Sequence, residues 1–469
     1  MTAQGIIYGI NGPIIYLKGD HGFHINEMVY VGKANLVGEV IGLTSEKTTI
    51  EVYEETTGLK PGEPVTGTGA PVSATLAPGI LTSIFDGIER PLNAIRDLGG
   101  CYIDRGVHVP SLNTEKKWET HITVKKGEYV YPGTILAEVP ETRAILHKVM
   151  VPPDVEGYVL SVVPDGSYTI NETLVTLQKK DGTELPLTMT QKWPIRVPRP
   201  TSRRYPATRP LVTGQRIVDT LFPLAKGGTA AIPGGFGTGK TMMQHQIAKW
   251  SDADIIIYIG CGERGNEMTQ VLEEFSELED PKTGNPLMER TTLIANTSNM
   301  PVAAREASLY SGLTLAEYYR DMGYNVAIMA DSTSRWAEAL RELSGRLEEM
   351  PAEEGFPAYL ASRLSQFYER AGMVQNLNGT EGSVSIIGAV SPQGGDFSEP
   401  VTQNTKRFVR CFWGLDKNLA YARHFPAIQW LTSYSEYLND LSGWYAEHVV
   451  SRFVDYRNQL VTILNKERS

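Results

Sequence analysis

The sequence predicts an α/β protein in which a parallel sheet with crossover helices is joined to two β-rich modules. Three observations lead to this prediction. Between about residues 185 and 395, apolar runs suited to buried strands alternate with amphipathic stretches suited to helices. The first 75 residues divide into short β-rich segments separated by Gly, Asn and Asp turns, and residues 115–183 have a similar short-strand rhythm.

The parallel sheet is predicted from apolar runs that do not alternate with polar residues. A strand covered on both faces reads as a continuous apolar run, because neither set of its side chains meets water. Such runs occur at Asp254–Ile259, Thr292–Ala295, Asn325–Ala330 and Ser383–Val390. Helices are predicted between them, at Val302–Met322 and Thr333–Met350.

The flanking segments predict a small barrel and some further helices. The segments Gly5–Leu17, Met28–Val31, Leu36–Leu43 and Thr48–Tyr53 are short, evenly spaced and β-rich, as in a small barrel. Helices are predicted at Gly79–Leu98 and over residues 433–465. In the second of these, one apolar stripe is formed by Phe453, Tyr456, Leu460 and Ile463.

Composition excludes some classes of protein. Lys and Arg number 44 against 54 Asp and Glu, a net charge of −10, which argues against a broad nucleic-acid-binding surface. We find no run of about 18 apolar residues that could span a membrane, and the first residues lack the layout of a secretory signal. The isolated thiols of Cys101, Cys261 and Cys411 suit a reducing cytosol. His21 and His24 are expected to be solvated loop residues.

One octapeptide satisfies the phosphate-loop pattern G-x-x-x-x-G-K-[ST]. An apolar stretch, Thr229–Ile232, precedes it and a helix-compatible stretch, Met242–Trp250, follows it. Its glycines permit a tight loop whose backbone N–H groups point at phosphate, and the helix N-terminus adds partial positive charge. We therefore predict nucleoside triphosphate binding by Gly234, Gly235, Phe236, Gly237, Thr238, Gly239, Lys240 and Thr241. Lys240 would contact the β- and γ-phosphates, and the Thr241 hydroxyl would bind Mg²⁺.

Two further polar clusters follow predicted strands. Asp331 ends the strand Asn325–Ala330, where a carboxylate can hold Mg²⁺, usually through water. Glu263 and Arg264 follow the strand Asp254–Ile259. Glu263 could orient the attacking water and Arg264 could neutralise phosphate charge, but a polar turn with an internal ion pair explains the same residues.

Several blocks of the sequence resemble the catalytic A subunit of the V-type and archaeal A-type rotary ATPases. They include the phosphate loop with Phe236, which the general pattern does not require, and Gly-Glu-Arg-Gly-Asn-Glu at 262–267. The others are 296–308, Ala-Asp-Ser-Thr-Ser-Arg-Trp-Ala-Glu-Ala-Leu-Arg-Glu at 330–342, Ser-Pro-Gln-Gly-Gly-Asp at 391–396 and Arg-His-Phe-Pro at 423–426. The similarity covers essentially all 469 residues, including the β insertion that this family carries.

The resemblance implies an architecture with a RecA-like P-loop core. We predict an N-terminal β-barrel at 1–75, a nucleotide-binding domain at 76–114 and 184–395, an inserted β-sandwich-like bulge domain at 115–183 and the start of a C-terminal helical domain at 396–469. The chain ends roughly a hundred residues before the family usually does, so this helical domain is expected to be shortened.

The resemblance also implies roles for individual residues. Lys240 and Thr241 would bind phosphate and Mg²⁺, Glu263 would activate water and Arg264 would lie beside the γ-phosphate. Asp331 would be the metal-side carboxylate, and Phe425 would pack on the adenine of ATP or ADP.

The family further implies partners and a location. Three such chains would alternate with three homologous B subunits, which supply an arginine finger in trans, around central shaft subunits and beside a peripheral stalk. Nucleic acid would not be bound, and the membrane would be reached only through other subunits, on its cytoplasmic face. Thr238 replaces a redox-active cysteine of eukaryotic members, which favours a prokaryotic origin.

Other functions are compatible with part of this pattern. A secretion-type or Rho-like hexameric motor shares the phosphate loop, although the inserted module and Phe236 argue against it. A truncated ring-assembly subunit that binds nucleotide without turnover is the other alternative. The leading hypothesis is Mg-ATP hydrolysis or synthesis coupled to H⁺ or Na⁺ transport.

Overall fold

The N-terminal segment of the chain folds into a closed antiparallel barrel. The structure, a computed structural model, describes residues 1–99 and 104–468, so Cys101 lies outside the described residues. The barrel strands are β1 Gln4–Asn11, β2 Ile14–Lys18, β3 Glu27–Val31, β4 Leu36–Leu43, β5 Lys47–Val52 and β6 Pro64–Pro71. They pair in the order β1-β2-β5-β4-β3-β6. Small apolar side chains such as Val29, Val40 and Ile50 fill the interior.

A second β unit of two antiparallel sheets follows after a short linking region. That region contains β7 Ser73–Leu76, β8 Ile84–Phe85 and α1 Leu92–Gly99. The unit is built from β9 Trp118–Ile122, β10 Tyr129–Val130, β11 Ile135–Pro140, β12 Leu146–Met150, β13 Gly157–Val162, β14 Gly166–Tyr168, β15 Val175–Gln178 and β16 Glu184–Leu187. One sheet has the order β10-β13-β15-β16 and the other β12-β11-β9-β14. The chain then returns through β17 Gln191–Pro194, which pairs with β7.

A large mixed sheet forms the centre of the remaining chain. Its strands in this part of the chain are β18 Arg203–Tyr205, β21 Thr229–Pro233, β22 Ile255–Cys261, β23 Thr291–Asn296, β24 Asn325–Asp331, β25 Gly372–Gln375, β26 Glu381–Val390, β27 Cys411–Phe412 and β28 Tyr434–Ser435. Two short strands, β19 Pro210–Leu211 and β20 Leu224–Ala225, form a separate pair. The main order is β28-β27-β21-β26-β24-β22-β23-β8, and the strands from β27 to β8 run parallel. Every residue of β21, β22 and β23 is buried, as expected of strands covered on both faces.

Helices cover this sheet and extend beyond it. They are α2 Arg216–Leu221, α3 Lys240–Trp250, α4 Gly265–Glu277, α5 Val302–Asp321, α6 Thr333–Arg346, α7 Leu360–Glu369, α8 Pro400–Phe408, α9 Lys417–Tyr421, α10 Leu438–His448 and α11 Phe453–Arg468. Short 3₁₀ helices span Leu287–Arg290, Glu353–Gly355 and Gln393–Gly395. Within residues 1–99 and 104–468, no helix has the length and apolar character needed to cross a membrane.

The parallel direction of the strands places the candidate residues at one edge of the sheet. The phosphate loop follows β21, Glu263 follows β22 and Asp331 is the last residue of β24. Ligands in open α/β sheets bind at the carboxyl ends of the strands. The fold therefore gathers segments that are far apart in sequence.

The predicted helix at Gly79–Leu98 is wrong over most of its length. Strand β8 occupies part of that range, and helix begins only at Leu92. The Asp86 side chain accepts hydrogen bonds from the backbone N–H groups of Ile88 and Arg90. Such local bonds compete with helical hydrogen bonding, and Glu89 adopts a positive φ of 63°.

The predicted helix over residues 433–465 is interrupted. Residues Tyr434 and Ser435 form a strand, and the chain leaves the helical conformation between α10 and α11. On α11, Phe453 packs against Tyr445 of α10 with ring centroids 4.1 Å apart. The other members of the predicted stripe, Tyr456, Leu460 and Ile463, are exposed.

Candidate functional site

The phosphate loop is a tight turn between β21 and α3. Gly237 and Gly239 have φ angles of 76° and 94°, a conformation that glycine adopts without steric cost. The Lys240 ammonium donates to the Gly234 and Gly235 carbonyls over 2.8 and 3.1 Å. The buried Thr238 hydroxyl also donates to the Gly235 carbonyl, over 2.7 Å. Burial lowers the pKa of Lys240, and the nearby carboxylates of Asp331 and Glu263 oppose that shift.

The metal-side residues meet directly. The Thr241 hydroxyl donates to Asp331 Oδ2 over 2.7 Å, and the phenol of Tyr258 donates to the same oxygen over 3.1 Å. Asp331 and Tyr258 are both buried. Burial and the neighbouring Asp331 raise the pKa of Tyr258 well above its usual value, so the phenol remains a hydrogen-bond donor.

The oxygen donors of this pair fit a magnesium ion. Mg²⁺ in nucleotide sites is held by one or two protein oxygens together with phosphate oxygens and water. A hydroxyl and a carboxylate beside the phosphate loop provide such donors. Among the described residues no group of three or more His, Cys, Asp or Glu side chains could hold a metal ion by itself.

Glu263 lies at the end of β22 with a perturbed carboxyl. Burial, a hydrogen bond with Glu267 and the charge of Asp331 raise the pKa of Glu263 to about 9, while Arg335 opposes the shift. The same hydrogen bond lowers the pKa of Glu267. A titratable group with a strongly shifted pKa in a cleft is a frequent feature of catalytic sites.

Cations from two elements flank Glu263. Arg264 is exposed and precedes the first turn of α4. Arg335, in the first turn of α6, packs closely over Gly262. A Cβ atom added at Gly262 would lie only 2.6 Å from the Arg335 Cβ. Arg335 is also close enough to lower the pKa of Lys240 and to oppose the raised pKa of Glu263.

A cavity of about 560 Å³ opens beside the phosphate loop. Its walls include Gly239 of the loop, Met242 of α3, Leu415 and Phe425. The Phe425 ring lies 3.9 Å from the point that a Cβ atom added at Gly239 would occupy. The Phe425 side chain remains 61% exposed. Phe236, at the outer side of the loop, is 90% exposed. Such an apolar cavity next to a phosphate site suits a nucleobase.

The structure brings together the residues that sequence patterns placed at separate strand ends. Thr241 contacts Asp331, and Lys240 and Glu263 interact electrostatically. Arg264, in contrast, has its side chain in solvent.

Sequence reasoning missed two members of this site. Tyr258 stands in an apolar strand, so its sequence context indicates only a core residue, and no motif marks Arg335 as functional. The position of Arg335, four residues after Asp331 and in the first turn of the following helix, is the one signal in the sequence that points to it.

Comparison with known families agrees with this arrangement. Residues 214–435 match the ATP synthase alpha/beta family, nucleotide-binding domain. Residues 109–196 match the ATP synthase alpha/beta subunit barrel-sandwich domain, and residues 7–69 match the ATP synthase alpha/beta family, beta-barrel domain. The predicted fold class is therefore confirmed.

Individual relatives are similar over nearly the whole chain. The V-type ATP synthase alpha chain of Halothermothrix orenii is 62% identical over 468 residues, which are 100% of this chain and 79% of the relative. The A-type ATP synthase subunits A of Natronomonas pharaonis and Methanopyrus kandleri are 58% and 59% identical, again over 79% of their own lengths and over 100% and 99% of this chain. The chain therefore belongs to the family of V-type ATP synthase alpha chains and A-type ATP synthase subunits A, the nucleotide-binding catalytic subunits of rotary ATPases.

Proposed function

We propose that this chain hydrolyses or makes Mg-ATP at the carboxyl edge of its parallel sheet, in a rotary complex that moves H⁺ or Na⁺ across a membrane. The observation that carries the proposal is the hydrogen bond between the Thr241 hydroxyl and Asp331, beside the phosphate loop. It joins the loop and the acidic strand end as a Mg-nucleotide site requires.

The phosphate chain would be held by the loop and by Lys240. The Lys240 ammonium, which donates to loop carbonyls, would donate to the β- and γ-phosphate oxygens instead. Thr241 and Asp331 would hold Mg²⁺, which supplies charge neutralisation at the β- and γ-phosphates. Because phosphoryl transfer needs little covalent chemistry from the protein, positioning and electrostatics account for most of the catalysis.

Glu263 would orient and polarise the attacking water. Its carboxyl follows β22 and interacts electrostatically with both Asp331 and the cation Arg335. Two arginines, Arg264 and Arg335, would neutralise charge that develops on the γ-phosphate. In-line attack also needs a proton acceptor for the water, and Glu263 would serve as one after passing its own proton to Glu267, to which it is hydrogen-bonded.

The nucleobase would pack against Phe425 in the cavity beside Gly239. The exposure of Phe236 and Phe425 suggests that a neighbouring subunit closes this side. We propose that the neighbour is a homologous B subunit of an alternating A₃B₃ ring, that it supplies an arginine in trans, and that shaft and stalk subunits complete the machine. The ring would lie on the cytoplasmic face of the membrane.

The proposal is tested by ATP hydrolysis with and without partners. Wild-type chain and Glu263→Gln are each assayed alone and after mixing with a homologous B subunit and shaft subunits. We expect activity only in the wild-type mixture. Vigorous turnover by the isolated chain would contradict a site completed in trans, and nucleotide binding without turnover in every mixture would favour a ring-assembly subunit.

A further inference from the structure

One buried phenol contacts the metal-side carboxylate, and the proposed mechanism gives it no role. The Tyr258 hydroxyl donates to Asp331 Oδ2 over 3.1 Å, and the Tyr258 side chain is fully buried. The same oxygen accepts from Thr241 over 2.7 Å. Asp331 Oδ2 is thus held from two sides, by the phosphate-loop helix and by the neighbouring strand.

The register of the two strands explains how Tyr258 reaches Asp331. Strands β22 and β24 are parallel neighbours, and Asp331 lies opposite Gly260, not opposite Tyr258. Residues two apart on a strand lie on the same face, so Tyr258 and Gly260 share a face. Asp331 is therefore the diagonal neighbour of Tyr258 across the strand pair, a separation that the long phenol spans, while Met268 occupies the space over Gly260.

Aromatic packing fixes the orientation of the Tyr258 ring. The rings of His245 and Phe275 both pack edge-on against it, each with centroids 5.6 Å away. His245 belongs to α3, and its Nδ1 lies 2.6 Å from the Glu274 carboxylate of α4. The helices that follow the phosphate loop and the Glu263–Arg264 segment therefore both hold this ring in place.

We infer that Tyr258 is a positioning residue that holds Asp331 in the orientation needed to bind magnesium with the nucleotide. This inference rests on the proposed function, because it assigns the metal to Thr241 and Asp331. Tyr258 itself is not a metal ligand. A carboxylate that two donors already hold in place loses less conformational entropy when a metal binds. Removal of a hydrogen-bond partner of a metal-binding group typically lowers metal affinity by about 10- to 100-fold.

The test measures metal dependence and not turnover. ADP binding to the whole purified chain is measured by calorimetry, once with excess Mg²⁺ and once with EDTA, and the ratio of the two affinities gives the gain due to magnesium. Tyr258→Phe removes only the hydroxyl and keeps the ring packing. We expect it to reduce the magnesium-dependent gain about 10-fold and to leave the affinity in EDTA unchanged.

Tyr318→Phe is the matched control. Tyr318 is also fully buried, and its hydroxyl lies 2.8 Å from His147 Nε2, in a contact between α5 and the second β unit. It should leave both affinities unchanged. An equal effect of the two substitutions, or an equal loss in EDTA, would mean that Tyr258 acts only through general stability and would overturn the inference.

Asp331→Asn provides a second, independent measurement. If Tyr258 acts through Asp331, adding Tyr258→Phe to Asp331→Asn should change the magnesium-dependent gain no further; additive effects would overturn the inference. An unchanged gain in Tyr258→Phe would also overturn it, while leaving the proposed function intact. If Lys240→Ala instead bound ADP as tightly as wild type, the proposed nucleotide site itself would be wrong.

Discussion

The metal side and the nucleobase side of the candidate site differ in how completely this one chain builds them. On the metal side, Asp331 is 3% exposed and is bonded by Thr241 and Tyr258. On the nucleobase side, the aromatic rings of Phe236 and Phe425 face solvent. The first region is preorganised by groups within the chain, whereas the second presents apolar surface that residues 1–99 and 104–468 leave open to solvent.

This difference separates two kinds of contribution. Preorganised donors in a buried setting stabilise developing charge without reorganisation, so their loss should reduce turnover strongly. Open aromatic surface contributes mainly to binding, and its contribution grows when a neighbour excludes water. Variants on the two sides should therefore differ in whether turnover or nucleotide binding is lost.

Lys240→Ala should have the largest effect. It removes the partly buried cation of the phosphate loop, so we expect hydrolysis by the assembled complex to fall by at least about 100-fold and ADP affinity to fall as well. Lys249→Ala, at the far end of the same helix α3, is the matched control and should change neither. Turnover close to wild type in Lys240→Ala would place the phosphate elsewhere.

Glu263→Gln should separate turnover from binding. The amide keeps the shape of the side chain but cannot accept the proton of water, so we expect turnover to fall about 100- to 1,000-fold while ADP affinity changes less than about 3-fold. Glu267→Gln keeps the catalytic carboxyl and should cost less than about 10-fold. Equal losses in the two variants would contradict a role in which Glu263 alone accepts the proton of water.

Sequence patterns were most informative for the buried sheet. The strands β22 and β24 begin and end within two residues of the predicted apolar runs, because continuous burial leaves a clear signal in the chain. The region around Asp86 was predicted poorly, since its conformation depends on side-chain bonds to the backbone. The predicted domain boundaries and site roles stay predictions.

The parts of the site that sequence could not supply are contacts between elements. Tyr258 reads as a core residue of an apolar strand, and only the register against β24 reveals its bond to Asp331. Arg335 reads as a solvated helix residue until it is seen over Gly262. Phe425 was found by resemblance alone, because a lone aromatic residue carries no signal of adenine contact.

Phe425→Ala should weaken nucleotide binding more than turnover. Loss of one aromatic face costs about 1 kcal/mol or more, so we expect about a 5- to 10-fold loss of ADP affinity, with kcat at saturation changed less than about 3-fold. Phe425→Tyr keeps the ring and should bind as wild type. If Phe425→Ala lowered kcat as strongly as Glu263→Gln, the division between the two sides would be wrong.

The smallest expected effect is the contribution of the Glu263 carboxyl to the pH dependence of stability. The pKa of Glu263 is raised to about 9 in the folded chain, above its unfolded value of about 4.3, so the folded state binds more protons between these values. Stability from this group is therefore lost progressively as the pH rises through that window.

Glu263→Gln removes this titration. The unfolding temperature of Glu263→Gln minus that of wild type should be about 2 °C larger at pH 8 than near pH 4.5. Near pH 4.5 the wild-type carboxyl is protonated in the folded state. Scanning calorimetry of both proteins across this range measures the difference, with Glu273→Gln on the exposed surface of α4 as the control. A difference that did not grow with pH would mean that Glu263 is already ionised at pH 8. A carboxyl that costs stability yet is needed for turnover would identify the end of β22 as a place where the fold gives up stability for chemistry.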